Sequence, residues 1–173
     1  MSNRAFSKVS PAIWRSRRFI ALPDEAKLGI LYLISNDHIT SAGCYELPPL
    51  YACSDLQWSE TAFESVMREL TAAEMIDRDG DFVLIERWFK HNPPTNDDHA
   101  LGTRRRLQMI ESERIREKAM AAFDEANAAR IEREAQKAAE KAARAMGKAK
   151  TVAETIGDTS RLMSTGYMRR GAA

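Results

Sequence analysis

Arginine is the side chain through which this protein could do chemistry, and the chemistry is phosphate binding. Arg15, Arg17 and Arg18 fall within four positions, and Arg104, Arg105 and Arg106 are consecutive. A guanidinium presents a planar fork of donors that matches phosphate oxygens. No acidic residue occurs in the first 23 positions, so the first cluster meets no local competitor. Arg78 and Lys90 add single cations. Gln57, Ser59, Thr61, Ser65 and Arg68 supply side chains that read base edges or touch phosphates when one helix presents them. Three consecutive arginines fan over some 200° of a helix, so Arg104–Arg106 cannot all face one ligand. Their alternative role is a solvated face paired with Glu111 and Glu113.

Other chemistries find no footing. His38, Cys44 and Cys53 lack zinc spacing, and no Cys-x-x-Cys occurs. His91 beside Asn92-Pro93 reads as structural. Phosphate-loop, dinucleotide-binding and nucleophile-elbow patterns are absent. The carboxylates are dispersed along helix faces rather than paired. The expectation is a non-enzyme with no catalytic residue, no metal site and no cofactor. Two cysteines make no disulfide framework, and no apolar run approaches the roughly 20 residues that cross a bilayer. A soluble, cytoplasmic protein without a membrane partner is expected.

The elements that must position the candidates follow from periodicity. Residues 6–9 read as a short strand. Ser10-Pro11 then caps a brief helix over 11–15. Pro23-Asp24-Glu25 opens a helix in which Ala26, Ile30, Leu33 and Ile34 recur at helical spacing, ended by Asn36-Asp37. Residues 43–47 read as a strand, 50–54 as a short helix and 55–58 as a turn. Ser59 caps the next helix, whose Phe63, Val66, Met67 and Leu70 form one apolar stripe. Met75–Arg78 and Phe82–Glu86 make a ribbon tipped by Asp79-Gly80. Val83 and Ile85 point one way and Phe82 and Leu84 the other. Trp88 or the N-terminal segment is expected to cover the second face. Trp14, Trp58, Trp88 and Phe89 are expected in the core rather than stacked on bases.

Pro93-Pro94 marks a boundary, and Asn96 is placed to cap the helix that follows, with Asp97 and Asp98 in its first turn. Nearly all aromatic residues precede it, so the core is expected within residues 1–95. From 98 to 146 proline is absent and Ala, Glu, Arg and Lys dominate, which predicts one long helix ended by Gly147. Ala128, Ile131, Ala135, Ala138, Ala142 and Ala145 follow a heptad-like spacing. This seam could pair two chains as a coiled coil, or belong to a lone helix. Residues 148–173 are expected to hold a short helix near 151–163 and a basic tail. The fold class is therefore mainly α with a small antiparallel β-sheet: a winged helix-turn-helix followed by a long C-terminal helix.

Lys8-Val9-Ser10-Pro11 with Trp14, the helix from Leu22 to Ile34, Gly43-Cys-Tyr-Glu-Leu-Pro48, and Trp88-Phe-Lys-His-Asn-Pro-Pro94 with Asn96 resemble phage and prophage replication-initiation proteins. These carry a winged-helix domain of the replisome-organiser type, akin to the lambda O protein and the DnaD family. The resemblance covers roughly residues 6–100. It implies a DNA-binding accessory of phage DNA replication. The winged helix would contact double-stranded DNA, and another region would contact a replicative helicase or its loader.

The charge layout departs from that of a DNA reader. Residues 1–23 carry +5, residues 24–96 carry −8 and residues 97–173 carry +4. The third helix exposes Glu60, Glu64, Glu69 and Glu74 against Arg68, and the wing tip holds Asp79 and Asp81 beside Arg78. Carboxylates facing phosphates weaken the dominant attraction. Groove contact would need Arg15, Arg17, Arg18, Lys90 and Arg104–Arg106 in support, with the acidic body orienting the protein by repulsion. The alternative is a protein-interaction or oligomerisation module, homodimeric through the tail, or a transcriptional regulator using the same winged helix.

Overall fold

Ser10 opens the first regular element. Its hydroxyl accepts a hydrogen bond from Ala12 N at 3.3 Å, and Pro11 fills the first position of the 3-10 helix Pro11–Arg15. The structure, a computed structural model, describes the backbone of residues 7–164 and the side chains of residues 7–146. Ser7 to Val9 form no strand, and the sheet consists of three strands from later in the chain among the described residues.

Helix α1 (Arg17–Ile20) buries Phe19 and leads into α2 (Asp24–Ser35), whose first turn carries Asp24 and Glu25 as the helix dipole favours. Asn36 ends α2 and is buried with its hydrogen bonds met. Its Nδ2 donates to Tyr45 OH at 2.8 Å, its Oδ1 accepts from His38 N at 2.8 Å, and Tyr45 OH donates to Leu33 O at 2.6 Å. A satisfied buried network of this kind fixes one geometry, here of β1 (Cys44–Glu46) against the end of α2. Helix α3 (Pro49–Leu56) stops at Gln57, which turns left-handed at φ 55°. Ser59 then caps α4 (Glu60–Ala72), accepting from Ala62 N at 3.2 Å. Phe63, Val66, Met67 and Leu70 are buried as the stripe requires, each stabilising by roughly 1.5–3 kcal/mol.

Strands β2 (Ile76–Asp79) and β3 (Phe82–Ile85) form the ribbon, with Gly80 at φ 59° in the turn. The sheet is antiparallel with order β1-β3-β2, and Leu84 pairs with both Cys44 and Asp77. The succession helix, strand, helix, helix, strand, strand from α2 to β3 is compatible with a winged helix-turn-helix. Helix α5 (Trp88–His91) buries Trp88 and Phe89. Asn96 caps α6 (Asp97–Gln108), its Oδ1 accepting from His99 N at 2.8 Å. Helix α7 runs Glu113–Ser164.

Two expectations for the C-terminal half fail for identifiable reasons. The helix over 98–146 is broken at Met109–Ser112, where Ile110 turns into the core. Ser112 starts α7 by accepting from Ile115 N at 3.3 Å, and Arg116 donates to Ile110 O at 2.6 Å. Gly147 does not end α7, and the segment 151–163 is its continuation. The tail beyond 164 lies outside the described residues. The core also passes residue 95. Leu107, Ile110, Ile115, Ala119 and Phe123 join it, and Phe123 meets Phe89 edge-on at 5.5 Å. One compact unit extends to Arg130, and a second begins at Ile131. Val83, Leu84 and Ile85 are all buried, so both faces of β3 are covered. Ile85 shares one groove with Ile13 and Trp88, and Asp77, the cross-strand partner of Leu84, is bound by Arg114 and Lys118 of α7. Asp79 shares the face of Asp77 and is held by Ser112, the residue before α7.

Candidate nucleic-acid interface

The thirteen side chains that could meet nucleic acid divide into those the fold has engaged and those it leaves outward. Arg18 is engaged. Its Nη1 donates to Glu74 O at 2.7 Å and lies 3.7 Å from the Glu74 carboxylate, fastening the N-terminal arm to the end of α4. Arg78 is engaged more fully, bonded to Glu64 at 2.7 Å and to Gly80 O at 2.8 Å, with its guanidinium 5.7 Å from the Phe63 ring centre. The Arg78 hydrogen bond holds the Glu64 carboxyl below its ordinary value. Arg104 pairs with Asp124, lies 5.1 Å from the Phe123 ring centre and donates toward Met120 Sδ at 3.9 Å. Its partner is thus Asp124, not Glu111 or Glu113.

Gln57 and Ser59 do structural work as well. Gln57 donates to Ser54 O at 2.6 Å, and Ser59 bonds Thr61 at 2.9 Å besides capping α4. Thr61 and Arg68 are exposed, and Ser65 is half-buried. Arg15, Arg17, Lys90 and Arg105 are exposed, Arg106 is half-buried, and none of these five nor Arg68 forms an ion pair among the described residues. Trp14 corrects an expectation. It is 62% exposed, its ring held edge-on to Phe19 at 5.2 Å. Trp88 and Phe89 are buried and Trp58 half-buried, as the core reading requires.

The acidic body is not the bare negative surface that its charge count suggests. Asp77 accepts from Arg114 with both oxygens at 2.9 Å and from Lys118 at 2.7 Å. Lys118 also bonds Glu86, Ser112 bonds Asp79, and Arg114 donates to Arg78 O at 2.7 Å. Burial of Asp77 opposes its ionisation, but the Lys118 and Arg114 hydrogen bonds outweigh it and hold its carboxyl below the ordinary range. Lys118 is likewise held above its ordinary value by Asp77 and Glu86 against the desolvation of its ammonium. Sequence reasoning missed this clasp. Its signal was an Asp-x-Asp on one strand face matched by Arg114 and Lys118 four apart on one helix face. Arg130, buried against Asp97 and bonded to Asn127 at 3.1 Å, was missed in the same way.

Cys44 lies buried in the sheet, where desolvation pushes its thiol up to about 12 and disfavours the thiolate. His38 packs on Tyr51 with ring centres 4.9 Å apart. Among the described residues no group of His, Cys, Asp and Glu could hold a metal ion, and no helix is long and apolar enough to cross a membrane. Comparison of the chain with known protein families, with characterised proteins and with solved structures finds no match.

Proposed function

We propose that this protein is a non-enzymatic, cytoplasmic DNA-binding accessory of phage-type replication initiation. Its ordered body contacts the DNA backbone, and its helical tail contacts a partner such as a helicase or loader. The observation that carries the DNA half is the sorting of charge. Wing and strand acids Asp77, Asp79 and Glu86 are answered by Ser112, Arg114 and Lys118, whereas Arg15, Arg17, Arg68, Lys90 and Arg105 stay outward. Intramolecular pairing lowers the repulsion that the acid count implies and leaves cations available to phosphates. The replication setting rests on the sequence resemblance. Backbone contact of this kind is salt-sensitive and reads little sequence. Fluorescence anisotropy of a labelled duplex, titrated with the full chain at several salt concentrations, tests it. Binding that weakens steeply with salt supports the reading, and no binding at low ionic strength overturns it.

A second reading, a protein-interaction module, is favoured by α3. Leu50 is 79% exposed and Tyr51 52% exposed on adjacent positions, a pairing more suited to a protein surface than to phosphates. Ile131 and the alanines of the 128–145 seam are also exposed, which leaves that stripe open to a second copy of the chain. Sedimentation with and without duplex separates the readings: a dimer indifferent to DNA favours the second.

A further inference from the structure

A groove of about 270 Å³ opens where the N-terminal arm, the exit of β3 and helix α5 meet. Ile13, Ile30, Ile34, Met75, Ile85 and Trp88 give it an apolar lining. Lys8, Arg87 and Lys90, all exposed, border it. The acids that line it, Glu74 and Glu86, are already paired with Arg18 and Lys118. Lys8, Arg87 and Lys90 form no ion pair among the described residues, so the groove is apolar within and positive around its edge. Arg87 stands at φ 57° and Glu74 at φ 53°, a left-handed conformation that side chains with a Cβ rarely adopt. A glycine would hold the same turn without strain, so the side chain of Arg87 is kept at a conformational cost.

We infer that this groove is a docking site for a short acidic peptide segment of a partner protein, anchored by one bulky apolar side chain and flanked by carboxylates that meet Lys8, Arg87 and Lys90. The volume is below the roughly 300–1,000 Å³ usual for small-molecule pockets and suits a single anchoring side chain. Charge complementarity selects an acidic partner. A nucleic-acid base is disfavoured because single-strand sites offer aromatic platforms for stacking. The apolar part of the lining is mostly aliphatic; of its aromatic rings, Trp88 is 3% exposed with Nε1 donating to Ser41 O at 2.9 Å, which leaves the His91 imidazole and no broad platform. The site shares Lys90 with the duplex contact proposed above, whereas Lys8 and Arg87 belong to the groove alone.

Labelled eight-residue peptides of aspartate and glutamate around a central leucine or phenylalanine, titrated into the full chain, test the assignment. The controls are the same peptides with a central serine, the same peptides with lysine in place of the acids, and a single-stranded DNA octamer. Saturable binding of the acidic peptides with an apolar centre is expected, weakened about tenfold or more by the serine control and by Lys8→Glu. Arg87→Gly is expected to weaken binding while leaving thermal stability equal or higher, which separates loss of the site from loss of the fold. Ala12→Trp, which fills the groove from its rim, is expected to block the peptide. The proposal is overturned if the serine-centred peptides bind equally, if Ala12→Trp leaves binding unchanged, or if the DNA octamer binds and the peptides do not.

Discussion

Gly43 lies directly against the indole of Trp88. A Cβ placed on Gly43 would stand 2.1 Å from Trp88 Cγ, and the residue holds φ 65°. The space leaves no room for a Cβ and the left-handed backbone disfavours one, and Gly43 O also accepts from Ile85 N at 2.9 Å. Gly43→Ala is therefore expected to destabilise by about 3 kcal/mol or more, the sum of overpacking and a left-handed alanine. Chemical denaturation of the full chain measures it, and a loss below about 1 kcal/mol would contradict the packing described.

The clasp between β2 and α7 predicts a pH dependence with two limits. Asp77 has a depressed carboxyl, so its stabilising contribution is present above the unfolded carboxylate value of about 4 and is lost as pH falls through its lower folded value. Lys118 has a raised ammonium, so its contribution is full below about 10.4 and is lost as pH rises through its higher folded value. Asp77→Asn is expected to cost about 1–2 kcal/mol at neutral pH and to flatten the acid limb of stability against pH. An acid limb that keeps its slope in the variant would place the titrating group elsewhere.

The two classes of arginine should separate under mutation. Arg15→Ala and Arg17→Ala, at exposed sites, are expected to leave stability within about 0.5 kcal/mol and to lower the slope of log K against log salt by roughly 0.9 each in duplex binding. Arg78→Ala is expected to do the reverse, costing about 1–2 kcal/mol through the Glu64 bond while leaving the slope unchanged. Parallel anisotropy and denaturation on the three variants decide this. Equal slopes for all three would remove the arm from the DNA contact.

The tryptophans give a further contrast. Trp88→Ala empties a buried site and loses the bond to Ser41 O, which costs about 3–5 kcal/mol. Trp14→Ala, at a position 62% exposed, is expected to cost under about 1 kcal/mol. Collisional quenching by acrylamide should accordingly fall most on the Trp14 component of the emission. A Trp14→Phe variant with unchanged quenching would contradict the exposure.

Local chemistry was legible in the sequence where one element carries its own signal. Ser10-Pro11, Pro23-Asp24-Glu25, Ser59 and Asn96 each mark a helix start that is found, and the stripe from Phe63 to Leu70 faces the core. Asp79-Gly80 marks the ribbon's turn. What could not be read was pairing between distant elements. A guanidinium at position 18, 78 or 104 looks like a free cation in a sequence window, and only the fold brings it to Glu74, Glu64 or Asp124. The break at Met109–Ser112 was hidden for the same reason. Strong helix formers surround it, and the burial of Ile110 with the cap at Ser112 overrides their propensity. Trp14 went astray because aromatic character alone does not reveal which face a short 3-10 turn leaves outside.

The continuation of the core from Leu107 to Phe123 decides where the protein can be shortened. A chain cut at the Pro93-Pro94 boundary would strip Leu107, Ile115 and Phe123 from the core and leave Asp77 and Glu86 without their cations. Such a fragment would clump through bared aliphatic and aromatic surface, whatever its affinity for a ligand. The compact unit that holds this core runs through Arg130.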